Sequence, residues 1–94
     1  MTGIKYDTDK VRWELMPWSE LEQVAKVMAY GAEKYDADNW KHLGGARPRY
    51  FAAALRHLFA WWRGETDDPE SGLPHLAHAA CNVLFLLWFE GHGG

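Results

Sequence analysis

If it is coiled into a helix, the segment from Val83 to Phe89, an unbroken apolar run, is apolar nearly all round. Such a helix must be covered by neighbours around most of its girth. Two other stripes offer part of that cover. Leu21, Val24, Ala25, Met28, Ala32 and Tyr35 recur at helical spacing, as do Phe51, Leu55, Leu58 and Trp62. One face of each partner cannot hide the whole third helix, so the pattern predicts a homo-oligomer, a dimer or larger.

The boundaries follow from punctuation. Ser19 with Glu22 fits a capping box, which predicts a first helix over about 19–35 in spite of Gly31. Residues 36–47 are rich in turn formers and read as a loop. Pro48 suits the first turn of a second helix running over about 48–63, with Gly64 as its C-cap. Residues 65–72 form a second loop, and Pro74 opens a third helix over about 73–89, stopped by Gly91 and the Gly93-Gly94 end. Residues 1–18 lack a helical stripe and read as an extended arm closed by Pro17. The expected fold is therefore all-α: one domain over residues 1–94, with an arm (1–18) and a helical core (19–89) of three main helices, completed by oligomerisation.

Charge and cysteine content narrow the function classes. Ten basic against thirteen acidic residues give a net charge of −3, with no basic excess suited to duplex nucleic acid. Cys81 is the single cysteine, so no internal disulfide can form and a reducing, cytoplasmic setting is expected. The N-terminus lacks the apolar core of a signal peptide, and the Val83–Phe89 run is too short to cross a bilayer. Six tryptophans in 94 residues exceed what so small a core needs, which suggests that some rings stack on a ligand or on another subunit.

The polar residues of the apolar helices are the candidates for chemistry. His75, His78 and Asn82 fall at i, i+3 and i+7, so they share one face. Each histidine alone reads as a hydrogen-bonded core residue, whereas three aligned polar groups read as a site. Two histidines can hold a metal if a third ligand comes from His57 or from the acidic loop. Arg56 sits within the second helix, where it either snorkels to the surface or meets an anion. With Lys34 and the histidines it can neutralise phosphate.

The loop Glu65–Gly72 carries four carboxylates. They are either solvated around an Asp68-Pro69 turn or, through Glu65, Asp68 and Glu70, a Mg2+ site. Lys34, Tyr35, Asn39 and Trp40 bring a cation and rings together at the end of the first helix. In the arm, Lys5, Lys10 and Arg12 alternate with Tyr6 and Trp13, as a solvated segment or as a lid over a nucleotide.

Four stretches together carry a resemblance. They are Lys5-Tyr6-Asp7-x-x-Lys10-x-Arg12-Trp13; Tyr30-Gly31-Ala32-x-Lys34-Tyr35-x-x-x-Asn39-Trp40; Arg56-His57-Leu58 through Trp61; and Asp68-Pro69-Glu70-Ser71-Gly72-x-x-His75-Leu76-Ala77-His78-Ala79 with Asn82. From about residue 3 to residue 89 the chain resembles a phage-rich family labelled as the N-terminal domain of dATP/dGTP diphosphohydrolase. More distantly it is similar to the all-α, oligomeric, Mg2+-dependent pyrophosphohydrolases of the MazG type.

The resemblance implies release of pyrophosphate from purine deoxynucleoside triphosphates in the cytoplasm of an infected bacterium. His57, His75 and His78 would be the catalytic groups, and Lys5, Lys10, Arg12, Lys34, Tyr35, Asn39, Trp40, Arg56 and Asn82 would bind substrate. The acidic ExxE and ExxD motifs of the MazG type are absent. Ala53, Arg56 and His57 stand on the second helix and His75, His78 and Asn82 on the third, so carboxylates at Glu33, Glu65, Asp68 and Glu70 would have to fold over the helices to replace them. Two other functions stay open at this point: a non-catalytic protein that sequesters a nucleotide signal of host immunity, and a module whose third helix docks another protein.

Overall fold

The computed structural model describes residues 10–92, which form three α-helices and two short 3-10 turns, with no strand among them. The helices are α1 (Trp18–Tyr35), α2 (Ala46–Trp62) and α3 (His75–His92), and the 3-10 turns are Trp13–Leu15 and Asn39–His42. The expected all-α class and its three main helices are thus observed.

The helix ends differ from the expected ones in instructive ways. The chain enters α1 through Pro17, whose carbonyl accepts from the Leu21 amide at 3.0 Å, and no side chain caps the helix. Proline needs no amide partner at a helix entrance, so Ser19 and Glu22 fall inside the helix and the capping box is not formed. α2 starts two residues early, from Gly45 in the left-handed region, which places Pro48 in the first turn where no amide donor is required. At its end the Gly64 amide bonds the Trp61 carbonyl and the Glu65 amide bonds the Ala60 carbonyl. That pair is a Schellman motif, and Gly64 at φ 102° provides the positive φ it needs. α3 runs three residues further than the periodicity suggests, through Gly91. There Glu90 pairs with Arg47 of α2 at 3.4 Å, and the His92 ring stacks on Trp88 at 4.1 Å.

α3 packs against both other helices, more extensively against α2. Val24 and Val27 of α1 meet Ala77 and Cys81 of α3, with Leu73, Ala80 and Phe85 around them. The small residues on α3 let the helices approach closely. The connection from α2 to α3 is tied into a compact loop: the Asp68 amide bonds the Leu73 carbonyl, the Gly72 amide the Asp68 carbonyl, and the His75 amide the Thr66 carbonyl. These bonds fix the acidic loop against the start of α3.

Much apolar surface stays in solvent. Leu87 is 67% exposed, Val83 54% and Trp62 77%, and no large side chain among the described residues is completely enclosed. The radius of gyration is 16.0 Å, against about 12 Å for a compact domain of this length. α3 has therefore met only part of the cover that its composition demands.

Candidate functional site

Four polar residues of α2 and α3, His57, His75, His78 and Asn82, come together. On α3, His75, His78 and Asn82 are buried in spite of their polarity, because α1, α2 and the acidic loop close over that face. His57 of α2 faces them. Its ring stacks on His78, with centroids 4.5 Å apart and planes 12° from parallel, and its Nδ1 lies 2.8 Å from Nδ1 of His75. His75 Nε2 lies 2.7 Å from a Glu65 oxygen. Ser71 Oγ lies 2.7 Å from His78 Nε2, and Asp68 Oδ2 lies 3.7 Å from the same nitrogen. Asn82 donates to the His78 carbonyl at 2.9 Å.

Burial first, then the neighbouring imidazoles, holds His57 below its ordinary titration range; burial does the same for His78, and Asp68 opposes it in part. Both rings are consequently neutral near pH 7. A histidine depressed in the folded state favours folding above its unfolded value of 6.5, and that contribution is lost as pH falls through the lowered folded value. The melting temperature should accordingly drop between about pH 7 and about pH 5. A His57→Gln variant should show a shallower drop in calorimetric scans over the same range.

Four of these groups line a groove of about 870 Å3 between α1, α2, α3 and the 36–45 loop. That size suits a drug-sized or nucleotide-sized molecule. His57, Asp68, His78 and Asn82 lie at the floor, while Lys34, Tyr35, Asn39, Trp40, Arg56 and Glu70 line the rest. His75 and Glu65 stand behind His57 and do not line the groove. Arg56 makes no ion pair among the described residues, so an anion entering the groove meets an uncommitted guanidinium.

Several sequence expectations need correction. The acidic trio does not converge: Glu65 is taken by His75, and Glu70 by Lys34 and by the Tyr30 hydroxyl, which donates to it at 2.8 Å. Asp68 alone joins His57 and His78, so Glu65, Asp68 and Glu70 do not form an all-oxygen Mg2+ cage. The helices set these partnerships, since Tyr30 and Lys34 are one turn apart on α1 and both face the acidic loop. The bond to Lys34, then that to Tyr30, holds the Glu70 carboxyl below its usual range, and the bond to Glu70 raises Lys34. Lys34 is thus engaged internally and brings little free charge to a phosphate. Glu33 lies outside the groove lining.

Trp40 is committed to a cluster of its own. It stacks on Phe85 at 4.3 Å, meets Trp88 and Phe89 edge-on, and carries Lys41 over its ring; its backbone carbonyl accepts from Tyr50. The ring forms a wall of the groove and holds the 36–45 loop on α3. Arg12 is paired with Glu14 on the exposed first 3-10 turn, and neither it nor Lys10 nor Trp13 lines the groove. Lys5 and Tyr6 lie outside the described residues.

Sequence reasoning missed Tyr30 as a tether for Glu70 and the link from Ser71 to His78. The first could have been found from the Tyr30/Lys34 spacing. The second depends on how the loop folds and leaves no local signal. Cys81 borders the groove, yet burial pushes its thiol up to about 11, so it is no nucleophile at neutral pH.

The fold and the groove define a small all-α domain with an imidazole-rich cleft bordered by an arginine. Over residues 1–94 the chain matches the family described as dATP/dGTP diphosphohydrolase, N-terminal, and it belongs to that family. It is 39% identical over 88 residues to a dATP/dGTP diphosphohydrolase of Salmonella phage PMBT28. The match covers 94% of this chain and 30% of that relative, so the chain spans less than a third of the relative's length. No solved structure matches the chain. No helix among the described residues is long and apolar enough to cross a membrane.

Proposed function

We propose that the groove binds a purine deoxynucleoside triphosphate and that the domain serves its hydrolysis to a monophosphate and pyrophosphate. The carrying observation is Arg56, without an ion-pair partner among the described residues, on the wall of a groove floored by His57, Asp68 and His78. A guanidinium gives a phosphate two parallel hydrogen bonds, and neutral imidazoles can pass a proton to or from water near pH 7. In the reaction a water oxygen adds to the α-phosphorus and the bond to the bridging oxygen breaks. His57 or His78, each with a basic nitrogen, takes the proton that the water loses. Mg2+ enters this reading on the substrate, as the counter-ion of its phosphates. The setting is the cytoplasm of an infected bacterium.

One observation favours a second reading, in which the protein holds a nucleotide or a nucleotide-derived immune signal without cleaving it. Of the acidic loop's carboxylates that were candidate ligands, only Asp68 reaches the His57–His78 pair. Incubation with dATP, dGTP and the pyrimidine dNTPs, with and without Mg2+, followed by chromatography, separates the two. Monophosphate and pyrophosphate support hydrolysis, and intact ligand released on denaturation supports storage. Neither would refute both.

The exposed Leu76, Val83, Leu84 and Leu87 on α3, with the open shape of the monomer, support assembly into a homo-oligomer. Light scattering at micromolar concentration should give a mass of at least twice 10.8 kDa. A monodisperse monomer would contradict this.

A further inference from the structure

We propose that His57, His78 and Asp68 bind one divalent transition-metal ion of the zinc class in preference to Mg2+, and that Glu65 and His75 act behind them as positioning residues. One ligand atom from each of the three lies within 4.8 Å of the others. A tetrahedral ion with bonds of about 2.0–2.2 Å needs its ligands about 3.4 Å apart and in the plane of each ring, so binding it requires the stacked His57 and His78 rings to turn out of their parallel arrangement. Two imidazoles with one carboxylate suit zinc, cobalt or iron, whereas Mg2+ requires oxygen.

The hydrogen bonds prepare the donors. A carboxylate only accepts, so His75 donates through Nε2 to Glu65 and, when neutral, accepts at Nδ1 from the Nδ1–H of His57. Nε2 is then the basic nitrogen of His57. Ser71 Oγ accepts from the Leu73 amide at 3.1 Å, and its own hydrogen is left for His78 Nε2, which keeps that nitrogen basic too. Asp68 spends Oδ1 on the Glu70 amide and turns Oδ2 toward His78. Three electron-pair donors thus gather at the groove floor. Burial, which keeps both rings neutral, agrees with this. An ion taking His78 Nε2 replaces the Ser71 hydroxyl and keeps a position open toward the groove.

The proposal shares its groove with the nucleotide reading and rests on it only for what the ion does there; while the ion holds both basic nitrogens, the two rings act as its ligands and not as the proton acceptor. Its test therefore contains no nucleotide. The full chain is stripped with a chelator and titrated with Co2+, Zn2+ and Mg2+ separately. The expected result is one equivalent of Co2+ with a tetrahedral absorption spectrum, displaced by Zn2+ and not by a large excess of Mg2+. His57→Ala, His78→Ala and Asp68→Asn should each abolish the spectrum. Glu65→Gln should keep the stoichiometry and weaken affinity about 10- to 100-fold, the usual effect of removing an outer partner. Paramagnetic shifts on the His57 and His78 ring protons of the unaltered protein decide the ligands if a variant fails to fold. Absence of saturable Co2+ binding, binding that survives His57→Ala, equal displacement by Mg2+, or an unchanged affinity in Glu65→Gln would each overturn the assignment it addresses.

Discussion

Replacing Arg56 by alanine should weaken binding of dATP or dGTP roughly 10- to 100-fold and leave binding of the corresponding nucleosides almost unchanged. A hydrogen bond to a charged group contributes about 1.5–3 kcal/mol, and 1.4 kcal/mol is a factor of ten. Arg56 lines the groove and has no carboxylate partner in it, so the substitution removes charge from the ligand's side without orphaning a protein group. Its fold role is small because it lies off the buried core. Isothermal titration of the folded variant with triphosphate, monophosphate and nucleoside reads the effect directly. An equal loss for all three would move Arg56 away from the phosphates, and an unchanged affinity for the triphosphate would remove it from the site.

The second large effect concerns stability. Trp40→Ala should destabilise the domain by about 3 kcal/mol, the lower end of the range for truncating a packed tryptophan. The ring is the centre of the cluster with Phe85, Trp88 and Phe89, and it is the contact through which the 36–45 loop is held on α3. For a domain of this size that is a fall in melting temperature of roughly 12–24 °C. Nucleotide affinity measured well below the new midpoint should change less than it does in Arg56→Ala. Stacking on a base would reverse that order: a small thermal shift with a tenfold loss of purine affinity would restore Trp40 as the ring that holds the ligand. Phe85→Leu offers an independent check, since it loosens the same stack from the other side and should lower the midpoint without touching Arg56.

The helices and their order could be read from the chain because helical periodicity is local. Val24 and Met28, Phe51 and Leu55, or His75 and His78 share a face wherever the helix ends up. The common face of His75, His78 and Asn82 was legible for the same reason, and so was the surplus of apolar surface on α3, which composition alone demands and the exposed Val83 and Leu87 still display. Helix ends were less legible. Pro17, Gly45 and Gly91 moved them by one to three residues, because a cap depends on which backbone groups find partners and not on residue type alone.

The partners of the charged groups were decided only in three dimensions. Glu65, Asp68 and Glu70 sit within six residues and look interchangeable in the sequence, yet they are divided among His75, the His57–His78 pair and Lys34 with Tyr30. The division follows from the fold of a loop pinned by the Leu73, Asp68 and Thr66 carbonyls, which sends neighbouring side chains in different directions. Trp40 was likewise undecided between ligand and core until α3 placed Phe85 against it. Periodicity specifies which side chains share a helix face. Which carboxylate meets which cation depends on how that face is docked, and docking is set by long-range packing that no local pattern encodes.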